Sequence, residues 1–156
     1  MRVLLPLILI FSFSFAKYDV IYNNMKLGEI QNLDTIENDY IEIDVTSKLA
    51  KLFLSKDKFI YHTAEFDESL KNDETTKYKK DRYQILNIVR LSTTKNITYE
   101  KFIISENKYI ELWFDGKFYF RYTSRDKLKS EGYLIVKDHI LQSLVDTRNK
   151  IKIVLN

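Results

Sequence analysis

Apolar side chains recur at every second position along most of this chain, and that period confines the sequence to a fold built on β-sheet. Tyr18, Val20 and Tyr22 alternate before an Asn23-Asn24 turn, and Ile41, Ile43 and Val45 alternate with Glu42 and Asp44. A strand turns successive side chains to opposite faces, so this pattern gives one apolar and one polar face. Eleven tyrosines and ten phenylalanines supply aromatic strand formers, while one proline and three glycines leave little to interrupt pairing. Further strands are expected over 26–36, 58–66, 83–91, 97–105, 109–115, 117–123, 132–137 and 151–155. The series predicts a mainly β fold: a curved antiparallel sheet, half-barrel or barrel-like meander, with one or two short helices.

Two segments depart from the period of two. Over 47–54, Leu49, Leu52 and Phe53 fall on one helical face behind Ser47, a good N-cap residue. Over 138–149, Asp138 can cap a helix whose stripe is Ile140, Leu141, Leu144 and Val145, and this element is expected to cover the sheet. Between Asp67 and Arg82 only Leu70 and Tyr78 are apolar, which predicts a polar loop or a short exposed helix. Lys77, Lys79, Lys80 and Arg82 there read as a solvated basic face beside Asp73, Glu74 and Asp81.

The N-terminus carries an address. Arg2 precedes an apolar run from Val3 to Phe13, and Ser14 and Ala16 are the small residues a signal peptidase requires. A membrane span needs about 20 apolar residues, and this run stops at Lys17 after Pro6, Ser12 and Ser14. Residues 1–16 are therefore expected to be a signal peptide cleaved after Ala16, not a stable transmembrane span. Residues 17–156 would then form a single β-rich periplasmic domain. With no cysteine the chain has neither a lipid attachment site nor disulfides nor thiolate metal ligands. The net charge falls from +3 to +2 once Arg2 is removed, and its interleaved charges give no basis for nucleic-acid binding.

Asp115-Gly116 is the strongest local turn signal. A two-residue turn would pair 114 with 117 and 113 with 118, placing Tyr109, Glu111, Trp113, Phe118, Phe120 and Tyr122 on one face. The other face would carry Ile110, Leu112, Phe114, Lys117, Tyr119 and Arg121. Apolar area on both faces exceeds what one core needs. Either tyrosines and long side chains cover the outer face, or one face lines a groove for an apolar ligand, such as an acyl chain or a lipidated partner. On the second reading the ligand-binding residues are Tyr109, Trp113, Phe118, Phe120 and Tyr122.

Catalytic patterns are missing from the sequence. His62 and His139 are far apart and lack zinc-ligand spacing, and the chain has no glycine-rich phosphate loop and no nucleophile elbow. Acidic pairs such as Asp67-Glu68 and Asp73-Glu74 lie in the polar segment, where carboxylates stay ionised. The sequence thus indicates no catalytic residues, no metal and no cofactor.

The run Tyr18-Asp19-Val20-Ile21-Tyr22, followed by Leu27-Gly28-Glu29 and Asp39-Tyr40-Ile41-Glu42-Ile43, resembles the start of a bacterial periplasmic family, domain-of-unknown-function family 3108. The resemblance covers the first third of residues 17–156. It implies an envelope address and a β-rich fold, with no catalytic residues to carry over. A more distant likeness, of architecture alone, is to periplasmic lipoprotein carriers whose half-open barrel holds acyl chains under a helical lid. Together these readings predict an exported envelope protein that carries or binds an apolar, lipid-like ligand. The alternative is a ligandless envelope assembly module that binds another protein through a strand edge or aromatic patch.

Overall fold

The computed structural model describes residues 16–31, 33, 40–63 and 74–156. Among these residues eleven strands form one sheet that does not close: β1 (Lys17–Tyr22), β2 (Met25–Gln31), β3 (Tyr40–Asp44), β4 (Lys58–His62), β5 (Thr76–Lys80), β6 (Tyr99–Ser105), β7 (Lys108–Phe114), β8 (Phe118–Ser124), β9 (Lys127–Lys137), β10 (Ile140–Asp146) and β11 (Ile151–Leu155). Two helices join them, α1 (Lys48–Leu54) and α2 (Ile85–Thr94). The spatial order is β5-β4-β3-β2-β1-β11-β10-β9-β8-β7-β6, so the first and last strands are neighbours in mid-sheet. Every pairing is antiparallel except β4 with β5. The expected mainly β, curved antiparallel architecture with short helices is what the chain adopts.

Tight turns hold the meander in register. Asn23 and Asn24 (φ 49° and 64°) join Tyr22 to Met25, and Arg125 and Asp126 (φ 51° and 57°) join Ser124 to Lys127. Two successive positive φ angles match the right-handed twist of the strands they connect. Gly132 is demanded by packing, because a Cβ there would stand 1.8 Å from the Val145 carbonyl oxygen.

Residues 138–149 do not form the expected helix. Asp138 and His139 (φ 51° and 63°) make a third tight turn, and β10 follows. Its register shifts between Leu141 and Ser143, so Leu141 and Leu144, three apart, are both buried. The bulge produced a helix-like spacing inside a strand. The reverse exchange occurs at 83–91, expected as a strand: α2 buries Ile85, Leu86, Ile88, Val89 and Ser92, a helical stripe. Within the polar segment 67–82, residues 67–73 lie outside the described residues, but Thr76–Lys80 is a strand rather than loop or helix. Asp81, beside the basic face expected to be solvated, is 4% exposed.

The helix over 47–54 is present. Ser47 Oγ accepts the Ala50 amide N–H at 3.2 Å, and Ser55 closes the other end with its N–H on the Lys51 carbonyl at 2.9 Å. Only Ala50 of this helix is buried. The main core lies on one face of the sheet, where α2 packs against β7, β9 and β10. Its buried cluster joins Leu86, Ile88 and Val89 of α2 to Ile110, Leu112, Phe120, Tyr122, Leu134, Leu141 and Leu144.

Candidate ligand cavity

The helix α2 fills the β7–β10 half of the inner face, and beside it the β1–β4 and β11 half keeps a hollow. This cavity has a volume of about 280 Å³. Its walls are aliphatic and aromatic: Val20 from β1, Ile41 and Ile43 from β3, Phe59 and Tyr61 from β4, and Ile153 from β11. Ile85 and Leu86 of α2 form one flank, and Leu54 at the end of α1 another. Alternation brings these side chains together, since Ile41 pairs with Tyr61 and Ile43 with Phe59 across β3 and β4.

Polar groups meet the cavity in one place. Lys79 of β5, opposite Tyr61, lines it with its ammonium 5.0 Å from the centre of the Phe59 ring. The ammonium pKa is lowered, first by burial and then by Lys77 and Arg82. Asp81 follows at the end of β5, its N–H on the His62 carbonyl at 2.8 Å. Its Oδ2 accepts the Leu86 N–H at 2.8 Å and Oδ1 the Tyr83 N–H at 3.3 Å, so the carboxylate caps α2 from inside the fold. Burial raises its pKa despite the lowering effect of those amide donors. The Tyr61 hydroxyl is likewise raised, by burial first and then by Asp81 and Tyr83.

Around the mouth, Tyr22, Leu54 and Tyr83 are each partly in solvent. Helix α1 adds Leu49, Leu52 and Phe53, the last two 75% and 73% exposed. The apolar stripe read from 47–54 therefore exists but faces outward.

The five residues expected to line a groove on the 109–122 hairpin do not share a face. The loop holds three residues: Asp115 donates its N–H to the Lys117 carbonyl at 2.9 Å, and Gly116 has φ 71°. Phe114 therefore pairs with Phe118, Trp113 with Tyr119, Leu112 with Phe120 and Ile110 with Tyr122, one residue out of the expected register. A one-residue slip regroups every side chain. Phe120 and Tyr122 lie in the buried cluster with α2, and Phe118 packs against its edge. Phe118 also lines a second, more open hollow of about 470 Å³ with Phe114, Val136 and His139. Trp113 and Tyr109 are on the opposite face. There Trp113 stacks on Tyr119 at 5.7 Å, the Arg121 guanidinium stands 5.7 Å from the Trp113 ring, and the Lys101 ammonium 3.8 Å from the Tyr109 ring. Glu111 accepts the Tyr99 hydroxyl at 3.2 Å. Tyrosines and long cationic side chains cover this outer face, as one of the two expectations had it.

His62 lies in β4, and His139 sits in the β9–β10 turn against the Thr93 carbonyl at 2.9 Å. Four strands separate β4 from β10, so the two histidines do not build a common site. Among the described residues there is no group of three or more side chains able to hold a metal ion, and no helix long and apolar enough to cross a membrane.

The cavity residues were missed because four of them belong to β3 and β4, where they read as ordinary core. The signal was the basic residue at 79 facing the same side as Phe59 and Tyr61, visible only once β5 is known to be a strand. No family model, curated protein or solved structure matches this chain.

Proposed function

We propose that this protein is an exported carrier that holds the apolar chain of a lipid-like ligand in the cavity between β1–β4, β11 and α2. The observation that carries the reading is an apolar hollow left unfilled on the inner face of an open sheet whose other half is plugged by α2. Water in such a hollow has few polar partners, and an acyl chain entering it gains about 0.8 kcal/mol per buried methylene. About 280 Å³ lies just below the roughly 300–1,000 Å³ range of ligand sites, which favours one chain over a bulky ring system. The exposed α1 side chains beside the mouth suit loading from an apolar surface. An open curved sheet under a helix is also what underlies the likeness to lipoprotein carriers, an analogy of fold.

Export rests on the N-terminal pattern. Cleavage after Ala16 would leave β1 intact, because that strand begins at Lys17. N-terminal sequencing of protein from a periplasmic fraction is expected to start at Lys17. An environment-sensitive fatty-acid probe is expected to bind at one equivalent and to be excluded by Ile43→Trp, which fills the cavity; no binding to the wild type would refute the carrier reading.

A second reading, an assembly module, draws on β6. This edge strand pairs only with β7 among the described residues and exposes Tyr99, Ile103 and Ile104. Edge strands with apolar side chains accept an added strand from a partner. Specific crosslinks from β6 to one envelope protein, with no probe uptake, would favour it.

A further inference from the structure

We infer that the ligand is a single-chain anionic amphiphile whose head group sits on Lys79 at the cavity rim; this rests on the carrier reading above. Among the described residues, Lys79 is the one basic side chain in the lining. Its ammonium is drawn over the Phe59 ring and makes no ion pair among the described residues. Two lysines of the adjoining strands are engaged differently: Lys58 binds Glu42 at 2.7 Å, and Lys26 binds Asp19 at 2.8 Å. Asp81, the one acid in the lining among the described residues, directs its oxygens to backbone amides, Oδ1 to Tyr83 just before α2 and Oδ2 to Leu86 in its first turn, which occupies both at the helix start. Lys77 and Arg82 flank Lys79 and add to the positive potential there. A cation at the edge of an apolar hollow, with other cations beside it, is matched by an anion whose tail fills that hollow. A neutral head group would leave the ammonium with water and an aromatic face alone.

The shared chemistry is a carboxylate or a phosphate on one acyl chain. The test compares cis-parinaric acid with its methyl ester on the intact protein, which separates head group from tail. The acid is expected to bind about tenfold more tightly than the ester. In Lys79→Met, which keeps an apolar stem over Phe59, the two affinities are expected to converge near that of the ester. Displacement of the bound acid by palmitate or by lysophosphatidylglycerol then distinguishes a free carboxylate from a phosphate head, and displacement by either supports the inference. Equal binding of acid and ester to the wild type, or an undiminished preference in Lys79→Met, would overturn it while leaving the carrier reading standing. Binding of neither probe would overturn both.

Discussion

Asp81 Oδ2 accepts the amide N–H of Leu86 at 2.8 Å, and this bond joins the end of β5 to the first turn of α2. One carboxylate thus fixes the helix that fills half of the inner face and flanks the cavity in the other half. Its environment sets two opposed effects: burial disfavours the charge, and the amide donors favour it. Burial prevails, so the folded-state pKa is raised.

A raised carboxylate pKa means that the folded state holds its proton more tightly than the unfolded one. Asp81 therefore contributes stability below its ordinary value of 3.8, and that contribution is lost as pH rises through the folded-state value. Asp81→Asn, which stays neutral, should lack this component. Denaturant titrations from pH 3 upward should show wild-type stability declining relative to Asp81→Asn across that window; parallel curves would place the carboxylate's titration at its ordinary value.

The two halves of the inner face should respond oppositely to substitution. Phe120→Ala opens a void in the cluster under α2 and is expected to cost about 3–5 kcal/mol of folding stability, while probe affinity of the folded fraction is kept. Ile43→Trp should abolish probe binding with little loss of stability, because it fills space the fold leaves open. Chemical denaturation and fluorescence titration on both variants check the pair.

Chain length should set affinity in steps. Each added methylene is expected to tighten binding up to about fourfold, following roughly 0.8 kcal/mol per buried CH₂, until the cavity is full. A competition series of saturated acids measures the slope. A flat series would mean that the tail is not buried.

Leu52 and Phe53 are exposed enough that Leu52→Ser and Phe53→Ser should leave stability within about 0.5 kcal/mol of the wild type. Their expected effect is kinetic: slower transfer of probe from lipid vesicles, with unchanged affinity for probe in solution. Stopped-flow transfer measurements distinguish the two.

Strand content was legible because Tyr18, Val20, Ile41 and Ile43 alternate without interruption, and the Asn23-Asn24 turn and the Ser47 cap act through neighbouring backbone. The failures share a cause in tertiary context. Around Asp115 the turn gained a third residue, Lys117, and the expected groove divided between two faces. At Leu141 a bulge put side chains three apart on one face of a strand. In 85–92, β-branched residues concealed a helical stripe, with its carboxylate cap, Asp81, hidden in a charged segment. The cavity itself follows from which half of the sheet α2 covers, a long-range choice that local spacing does not encode.

The central claim, that the hollow beside α2 holds an apolar chain, is tested most directly by native mass spectrometry of the wild type and Ile43→Trp after incubation with a total lipid extract. The account predicts one added lipid mass on the wild type, removed by organic solvent, and a bare mass for Ile43→Trp. A bare wild type, or the same adduct on both proteins, would contradict it.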